Sequence, residues 1–447
     1  MSKNFIRFIL LIPVTFSTIF IICSSYKLAG KNHNDKDDYA QGDYMRYDDY
    51  VYDDSIRTIL LYNTRSELSY PIINLGSGDH IKLSFDDLRR NITNYSYTLI
   101  HCNGNWEPSE LQPNEYIDGF MEDEIYDYNY STNTYVNYTH YNVTIPNENI
   151  KITKSGNYII KVYKVNDAEH PIFTKRFMVY ENRVAITMNV KRATDVNESY
   201  FRHEVDFKIN HEGYDIPDPF QKLNVVLMQN YRWDNAITGL KPKFVKDTEL
   251  DYDYNNSSNV FDANSEFREF DIKSIKYQTI RIDKIQHEKE DNIDHVYLLK
   301  DESRSYKQYY SQADLNGNFL IKINEGSNSE VDADYVRVHF TLPYAPPLKD
   351  GNLYIFGKFS DWKFRDELKM DYDTLNQQYV KAVFLKQGYY NYVYCFVKDG
   401  SKNTGDISVI EGSHYETENE YSILVYHRQL NDNYDRLIGF ASISNAN

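Results

Sequence analysis

Short segments in which apolar and polar side chains alternate recur along most of the chain, and they constrain its fold more than any other feature. Clear examples are residues 81–85, 135–145, 203–209 and 335–342. Alternation with a period of two places successive side chains on opposite faces of a β-strand. The stretches between these segments lack the 3.6-residue period of a helix. The chain is therefore predicted to be all-β, with tandem antiparallel β-sandwiches of immunoglobulin-like or E-set type.

The breaks between these segments suggest how the chain divides. A length of 447 residues corresponds to about two to four domains. We predict an N-terminal sandwich over residues 51–182, a second sandwich over residues 183–343 with a polar insertion near residues 247–265, and a C-terminal E-set-like sandwich over residues 344–440. The last boundary rests on the proline-rich run that begins at Pro343, which is expected to be a stiff linker.

The N-terminus has the pattern of an export signal. Lys3 and Arg7 precede an apolar run over residues 8–23, as in a secretory signal peptide. Small residues favour cleavage after Ser25. Residues 1–25 are therefore predicted to be a signal peptide that directs the protein out of the cytoplasm.

Two alternatives exist for this region. A transmembrane span is disfavoured, because Pro13 interrupts the apolar run and a span needs roughly 20 residues. Lipidation of Cys23 is the other alternative, although Ile22 is bulky for the residue that precedes a lipid-bearing cysteine. Residues 26–50 are polar and acidic, and we predict a flexible leader there.

The charge and the aromatic content narrow the range of partners. A net charge of −17 disfavours nucleic acid and anionic lipid, because both are negatively charged. The chain contains 43 Tyr residues, which favour strands and interfaces, since the ring is buried well while the hydroxyl stays hydrated. Cys102 and Cys395 lie far apart in the sequence, and no disulfide between them is expected.

An irregular segment over residues 101–120 follows the predicted strand at residues 95–100. Pro108 and Pro113 are incompatible with a regular helix or a central strand there. The segment nevertheless carries large apolar side chains, which are unusual in a flexible loop. These are Trp106, Leu111, Tyr116 and Phe120. We therefore predict an ordered segment whose four anchors pack onto their own domain or dock onto a partner.

The sequence has no recognised catalytic motif. It contains no G-x-S-x-G elbow, no H-E-x-x-H pair and no phosphate-binding loop. Four acidic or amide side chains follow the spacing of a calcium loop, but Asn256 stands where that loop requires Gly, so an acidic loop is preferred. These are Asp251, Asp253, Asn255 and Asp262. We predict no catalytic residue, no cofactor, no metal site and no small-molecule substrate, and hence no enzyme.

Residues 356–362 are similar to a segment of glycogen- and starch-binding β-sandwich modules. In such modules exposed aromatic side chains stack on sugar rings, and Trp362 is the residue that would do so here. An exported glycan-binding accessory protein that uses the C-terminal sandwich is therefore an alternative function. Related domains also have purely structural roles, so this motif discriminates poorly between a glycan-binding domain and a structural one.

A series of segments in consistent order resembles the type IX secretion plug protein family of the Bacteroidota. The resemblance covers most of the chain after the signal peptide. The matching segments are residues 83–88, 101–103, 106–109, 115–116, 119–120, 138–141, 145–148, 266–271, 314–319, 385–392, 411–413, 417–421 and 434–439. Residues 51–182 would be the first domain of such a protein.

The resemblance implies a non-enzymatic periplasmic protein at the inner face of the outer membrane. Its partner would be the translocon barrel of the outer membrane, whose periplasmic opening it closes while no substrate is passing. Closing a wide pore requires a rigid protein that is already folded. Sandwiches with ordered loops meet this requirement, because they need not fold on binding. The segment over residues 101–120 would then either contribute to docking or cap the first sandwich.

Overall fold

Residues 44–401 and 404–445 are described by the computed structural model of the protein. Strands make up 45% of the described residues and form several mainly antiparallel sheets, which confirms the predicted all-β sandwich class. In these ranges no helix is long and apolar enough to cross a membrane. The predicted signal peptide, with Cys23, and the predicted leader up to residue 43 lie outside the described residues.

The first sandwich contains the strands up to Tyr180 and one short helix. They are β1 (Tyr50–Val51), β2 (Ile56–Asn63), β3 (Ile72–Asn74), β4 (Ile81–Asp87), β5 (Tyr95–Cys102), α1 (Pro113–Tyr116), β6 (Ile117–Gly119), β7 (Glu122–Glu124), β8 (Asp127–Tyr130), β9 (Thr139–Ile145), β10 (Ile150–Ile152), β11 (Gly156–Lys164) and β12 (Pro171–Tyr180).

Two sheets of this sandwich enclose an aromatic core. One sheet has the order β1-β12-β11-β5-β7, with β3 parallel to β12, and the other has the order β2-β4-β9-β8. Alternation in β4 turns Ile81, Leu83 and Phe85 inward, where all three are fully buried. Phe85 stacks on Tyr141 with their ring centroids 5.0 Å apart. The tyrosine-rich composition is thus used in part to fill the core.

The predicted leader is wrong for its last residues. Tyr50 is buried and pairs with Thr174 at the start of the sheet. The Arg46 guanidinium lies 4.1 Å from the centre of the Tyr50 ring. Polar composition predicted a flexible segment, but an aromatic ring and an open sheet edge order the chain from at least residue 46.

The second sandwich begins with seven strands and a short helix, and it ends with two strands from the C-terminus. They are β13 (Ala185–Arg192), β14 (Arg202–Asn210), α2 (Pro219–Lys222), β15 (Leu223–Gln229), β16 (Ile237–Thr238), β17 (Phe244–Val245), β18 (Glu249–Asp251) and β19 (Val260–Asp262), then β29 (Glu420–His427) and β30 (Arg436–Ser444). Its sheets have the orders β13-β14-β18-β17, with β19 beside β14, and β16-β15-β29-β30.

The third sandwich is inserted between β19 and β29. Its elements are β20 (Arg268–Asp271), β21 (Ile282–Glu288), β22 (Ile293–Leu298), β23 (Phe319–Ile321), α3 (Ser329–Asp332), β24 (Tyr335–Pro343), β25 (Gly351–Phe356), two 3₁₀ helices (Lys358–Ser360 and Asp366–Leu368), β26 (Asp371–Asp373), β27 (Gln378–Lys386), β28 (Gly388–Lys398) and α4 (Ser408–Glu411). Its sheets are β20-β28-β23, with β25 beside β28, and β21-β22-β24-β27-β26.

Strand pairing differs from the predicted boundary at residue 343. β24 was predicted to close the second sandwich, but it pairs with β22 and β27 of the third. β29 lies in the region assigned to the C-terminal domain, yet it pairs with β15 of the second sandwich. The proline-rich run therefore connects two strands of one sandwich. Alternation reports which face of a strand is buried but does not identify its partner.

The predicted polar insertion over residues 247–265 is also wrong. β18 and β19 both pair with β14. Tyr252, between them, is fully buried and stacks on Phe207 with their ring centroids 4.4 Å apart. Two strand pairings and the buried Tyr252 side chain therefore hold this segment at the sheet.

Candidate partner-binding segment and the contacts between sandwiches

The irregular segment over residues 101–120 folds back on β5 as soon as that strand ends. The amide of Asn103 donates to the Glu107 carbonyl at 2.8 Å, and the Trp106 amide donates to the Asn103 carbonyl at 2.9 Å. The Ser109 amide donates to the His101 carbonyl at 3.0 Å. These bonds replace the strand pairing that Pro108 interrupts, so residues 103–112 are ordered without being a helix or a strand. Pro113, predicted to be incompatible with a regular helix, instead begins the single-turn helix α1, where proline is tolerated because the first turn needs no amide donor.

His101 fixes the base of this turn. Its ring is buried, with Nε2 3.0 Å from the Ser155 carbonyl oxygen and Nδ1 2.8 Å from Ser109 Oγ. Burial lowers the pKa of His101 to about 4, so the ring is neutral at pH 7. The carbonyl can only accept, and the proton therefore lies on Nε2 while Nδ1 accepts from the Ser109 hydroxyl. Both ring nitrogens have structural partners.

The neighbouring thiol is not a nucleophile at neutral pH. Burial raises the pKa of Cys102 to about 12, so the reactive thiolate is scarce. Burial likewise raises the pKa of the Cys395 thiol. Both cysteines are free and buried.

Trp106 joins the first sandwich to the second. Its side chain is only 6% exposed, and its ring is nearly perpendicular to that of Trp233, with their centroids 5.1 Å apart. The Arg176 guanidinium lies 4.4 Å from the centre of the Trp106 ring. Nearby, the Gly104 amide donates to Asp435 Oδ2 at 3.0 Å. Trp106 is thus an anchor within the chain.

The other three predicted anchors differ in exposure. Leu111 and Tyr116 are buried in the core of the first sandwich, where the Tyr116 hydroxyl donates to the Leu99 carbonyl at 3.1 Å. Phe120 is 64% exposed. Of the four side chains proposed for docking, Phe120 is therefore the one whose ring a partner can contact without displacing the protein's own packing.

A buried polar cluster joins the first sandwich to the third, and sequence reasoning did not find it. Asp86 of β4 is fully buried and accepts from Lys386 Nζ at 2.7 Å, from the Tyr335 hydroxyl at 2.6 Å and from His140 Nδ1 at 2.6 Å. Burial alone would raise the pKa of Asp86, but Lys386 and His140 outweigh it, and the pKa lies below its ordinary value. Asp86 is therefore a carboxylate at neutral pH.

A signal for this cluster was present in the sequence but could not be interpreted. Three segments that carry the family resemblance meet here: residues 83–88 contain Asp86, residues 138–141 contain His140, and residues 385–392 contain Lys386. Asp86 and Lys386 are 300 positions apart. No local pattern predicts that such distant residues will meet.

Trp362 lies in a second contact, between the third sandwich and the other two. It is 7% exposed, its ring lies 5.3 Å from that of Phe356, and the Arg232 guanidinium of the second sandwich lies 4.8 Å from its centre. Next to it, Asp361 accepts from Lys175 Nζ of the first sandwich at 2.6 Å. Trp362 therefore has no open ring face for a sugar.

A cavity of about 510 Å³ opens beside β20 in the third sandwich. Its basic side chains are already engaged: Arg268 binds Glu411 and Asp301, and Arg304 also binds Glu411. The Arg268–Glu411 pair is buried. The cavity is therefore the mouth of an internal ion-pair network that holds the loop after β22 in place.

One group of acidic side chains in the described ranges is close enough to suggest a metal site, namely Glu204, Asp206 and Asp253. Lys191 Nζ lies 2.6 Å from Asp206 Oδ2 and 3.3 Å from Glu204 Oε1. A cation from the chain itself, the Lys191 ammonium, is already paired with two of these three carboxylates. Asp251 and Asp262 are in ion-pair contact with Lys208 and Arg202 instead.

The fold and these contacts define a class of protein: a multi-sandwich β-protein whose buried polar side chains join its own domains. Comparisons with known proteins agree with this class. Residues 56–181 match the family model described as type 9 secretion system plug protein 1st domain. The chain belongs to the type IX secretion system plug protein family.

A solved structure extends the similarity beyond the first sandwich. The crystal structure of a hypothetical protein from Parabacteroides merdae ATCC 43184, at 2.30 Å resolution, has 35% sequence identity and a TM-score of 0.86. The alignment covers 90% of this chain and 100% of that chain. No curated protein matches the sequence significantly.

Proposed function

We propose that this protein is a non-enzymatic plug of the type IX secretion system. It closes the periplasmic opening of the outer-membrane translocon pore while no substrate is passing, and it resides in the periplasm at the inner face of the outer membrane. The observation that carries the proposal is the match of residues 56–181 to the first domain of the plug family.

The packing of the sandwiches supports this role. A protein that closes a wide pore must keep its shape while it is bound there. The pairs Asp86–Lys386 and Lys175–Asp361 are buried between sandwiches. Separating a buried ion pair strands a charge at a cost of several kcal/mol, so motion of one sandwich against another is disfavoured.

The glycan-binding alternative is not supported. It requires Trp362 to present a ring face to a sugar, whereas this ring is enclosed by Phe267, Phe356 and Arg232. Exposing it would disrupt the contact between the second and third sandwiches.

The test of the proposal combines capture and permeability. Tagged protein is expected to recover a very large barrel protein from detergent-solubilised outer membranes. Cells that lack the protein are expected to admit a dye too large for ordinary porins, and the intact gene is expected to restore the barrier. Failure to capture the barrel, together with equal dye entry in both strains, would refute the role as a plug.

A further inference from the structure

One side of the first sandwich consists of two open strand edges. β7 is the last strand of one sheet and β8 is the last strand of the other. Only Ile125 and Tyr126 separate them, so both edges lie on the same side. Ile125 is buried between the sheets. Within the described ranges, β7 pairs only with β5 and β8 only with β9.

Exposed aromatic side chains cluster on this side. Phe120 is 64% exposed, Tyr126 is 72% exposed and Tyr130 is 52% exposed. Met121 and Tyr128 are also exposed. A group of exposed apolar side chains within one short segment marks an interaction surface more often than scattered ones do. We call residues 118–130 the 118–130 edge.

Backbone groups of β8 are available to a further strand. The Ser131 amide donates to the Tyr138 carbonyl at 2.9 Å, in register with the β8–β9 pairing. Hydrogen-bonded pairs alternate along an antiparallel ladder, so Asn129 bonds to β9 while the peptide groups of Tyr128 and Tyr130 face away from the sheet. In the described part of the chain, no other element bonds to these outward groups.

The charge of the 118–130 edge selects the kind of partner. It contains no Lys or Arg, and none of its carboxylates forms an ion pair with Lys or Arg of the described residues. The carboxylates are Asp118, Glu122, Asp123, Glu124 and Asp127. Such an edge attracts a basic segment and repels a second copy of itself.

We propose that the 118–130 edge is the surface through which the protein binds the translocon. Its occupant is an extended segment at the periplasmic rim of the barrel that carries Lys or Arg and adds to β8 as a further strand. The outward peptide groups of Tyr128 and Tyr130 give main-chain hydrogen bonds, and the tyrosine rings give contact area at low entropic cost. This inference rests on the proposed function and adds the docking site to it.

The test uses the full-length mature protein and two edge variants. Tyr126→Ser/Tyr130→Ser removes exposed rings, and Asp118→Lys/Asp127→Lys reverses exposed charges whose side chains make no hydrogen bond to the described chain. Tyr306→Ser/Tyr310→Ser, in an exposed loop of the third sandwich, is the matched control. Unfolding by urea checks that all three variants remain folded. If the tyrosine variant does not fold, the charge variant still tests the inference.

We expect each edge variant to bind the purified translocon about 10- to 100-fold more weakly, as for truncation of central interface residues, and the control to bind as the wild type does. Wild-type binding should also weaken as the salt concentration rises. Equal binding by folded edge variants would overturn this inference and leave the plug role intact, even if those variants self-associate. Failure of the wild-type protein to bind would instead refute the proposed function.

Discussion

At the residue scale, Gly156 and His101 depend on each other. Gly156 has a φ of +142°, and a Cβ atom there would lie 2.4 Å from His101 Nε2. His101 cannot move aside freely, because Ser155 and Ser109 hold its two nitrogens. The start of β11 therefore requires glycine for both its backbone conformation and its close approach to the ring.

Gly156→Ala is expected to lower the free energy of unfolding by about 3 kcal/mol, from an unfavourable φ together with overpacking. Gly78→Ala is the control, because Gly78 has a φ of +81° but open space around it. Its expected loss is about 1 kcal/mol. Urea denaturation measures both, and equal losses would show that the ring contact is unimportant.

The buried neutral state of His101 also predicts a pH dependence. Its pKa falls from an ordinary 6.5 to about 4 in the folded protein. Between these values the unfolded chain binds more protons, so stability is fully present above pH 6.5 and declines as the pH falls. The loss from this group reaches at most about 3 kcal/mol.

His101→Gln should therefore be less stable than the wild type at pH 7, and the difference should narrow towards pH 4.5. Urea midpoints at several pH values test this. Parallel curves for the two proteins would contradict the assignment of His101 as a buried neutral group.

At the scale of elements, the large apolar side chains of the 101–120 segment pack against the sandwiches of the protein, except for the one at its C-terminal end. Trp106 and Tyr116 are buried within the protein, whereas Phe120 is an exposed residue of the 118–130 edge. Stability and binding are therefore expected to depend on different residues of one continuous segment.

Trp106→Ala and Tyr116→Ala should each lower the free energy of unfolding by about 3–5 kcal/mol, as large-to-small core changes do. Phe120→Ala should change it by less than about 0.5 kcal/mol, because most of its ring is exposed. Thermal melts and translocon capture are measured on the same samples. Reduced capture by a folded Trp106→Ala protein at unchanged stability would place Trp106 at the docking surface instead.

At the scale of the whole molecule, the sandwiches are joined by buried charges. Lys386→Met leaves Asp86 without its ammonium partner, and removing one member of a buried pair costs about 3–5 kcal/mol. The double variant Asp86→Asn/Lys386→Met should lose less free energy of unfolding than the sum of the two single variants, because it leaves neither the carboxylate nor the ammonium unpaired. A double-mutant cycle in urea measures this coupling. Strictly additive losses would mean that the pair does not join the sandwiches.

The all-β class and the strands with clear alternation could be predicted because alternation is a local property. Ile81, Leu83 and Phe85 face the core as their spacing requires. The partners of a strand are not local, and β24 and β29 were therefore assigned to the wrong sandwiches. The ordered 101–120 segment was predictable from its prolines and large side chains. The burial of Trp106 depended on how the turn packs against Trp233 and Asp435 of the second sandwich.

By itself, the sequence determined that this protein consists of strands and that its segments resemble those of a secretion plug. Only the tertiary structure decided that β29 and β30 return to the second sandwich, that Asp86 meets Lys386, and that Trp362 is buried while the 118–130 edge is open. The reason is physical. Side-chain periodicity is set by the backbone over a few residues, whereas burial and pairing are set by residues hundreds of positions apart that come together only when the chain folds.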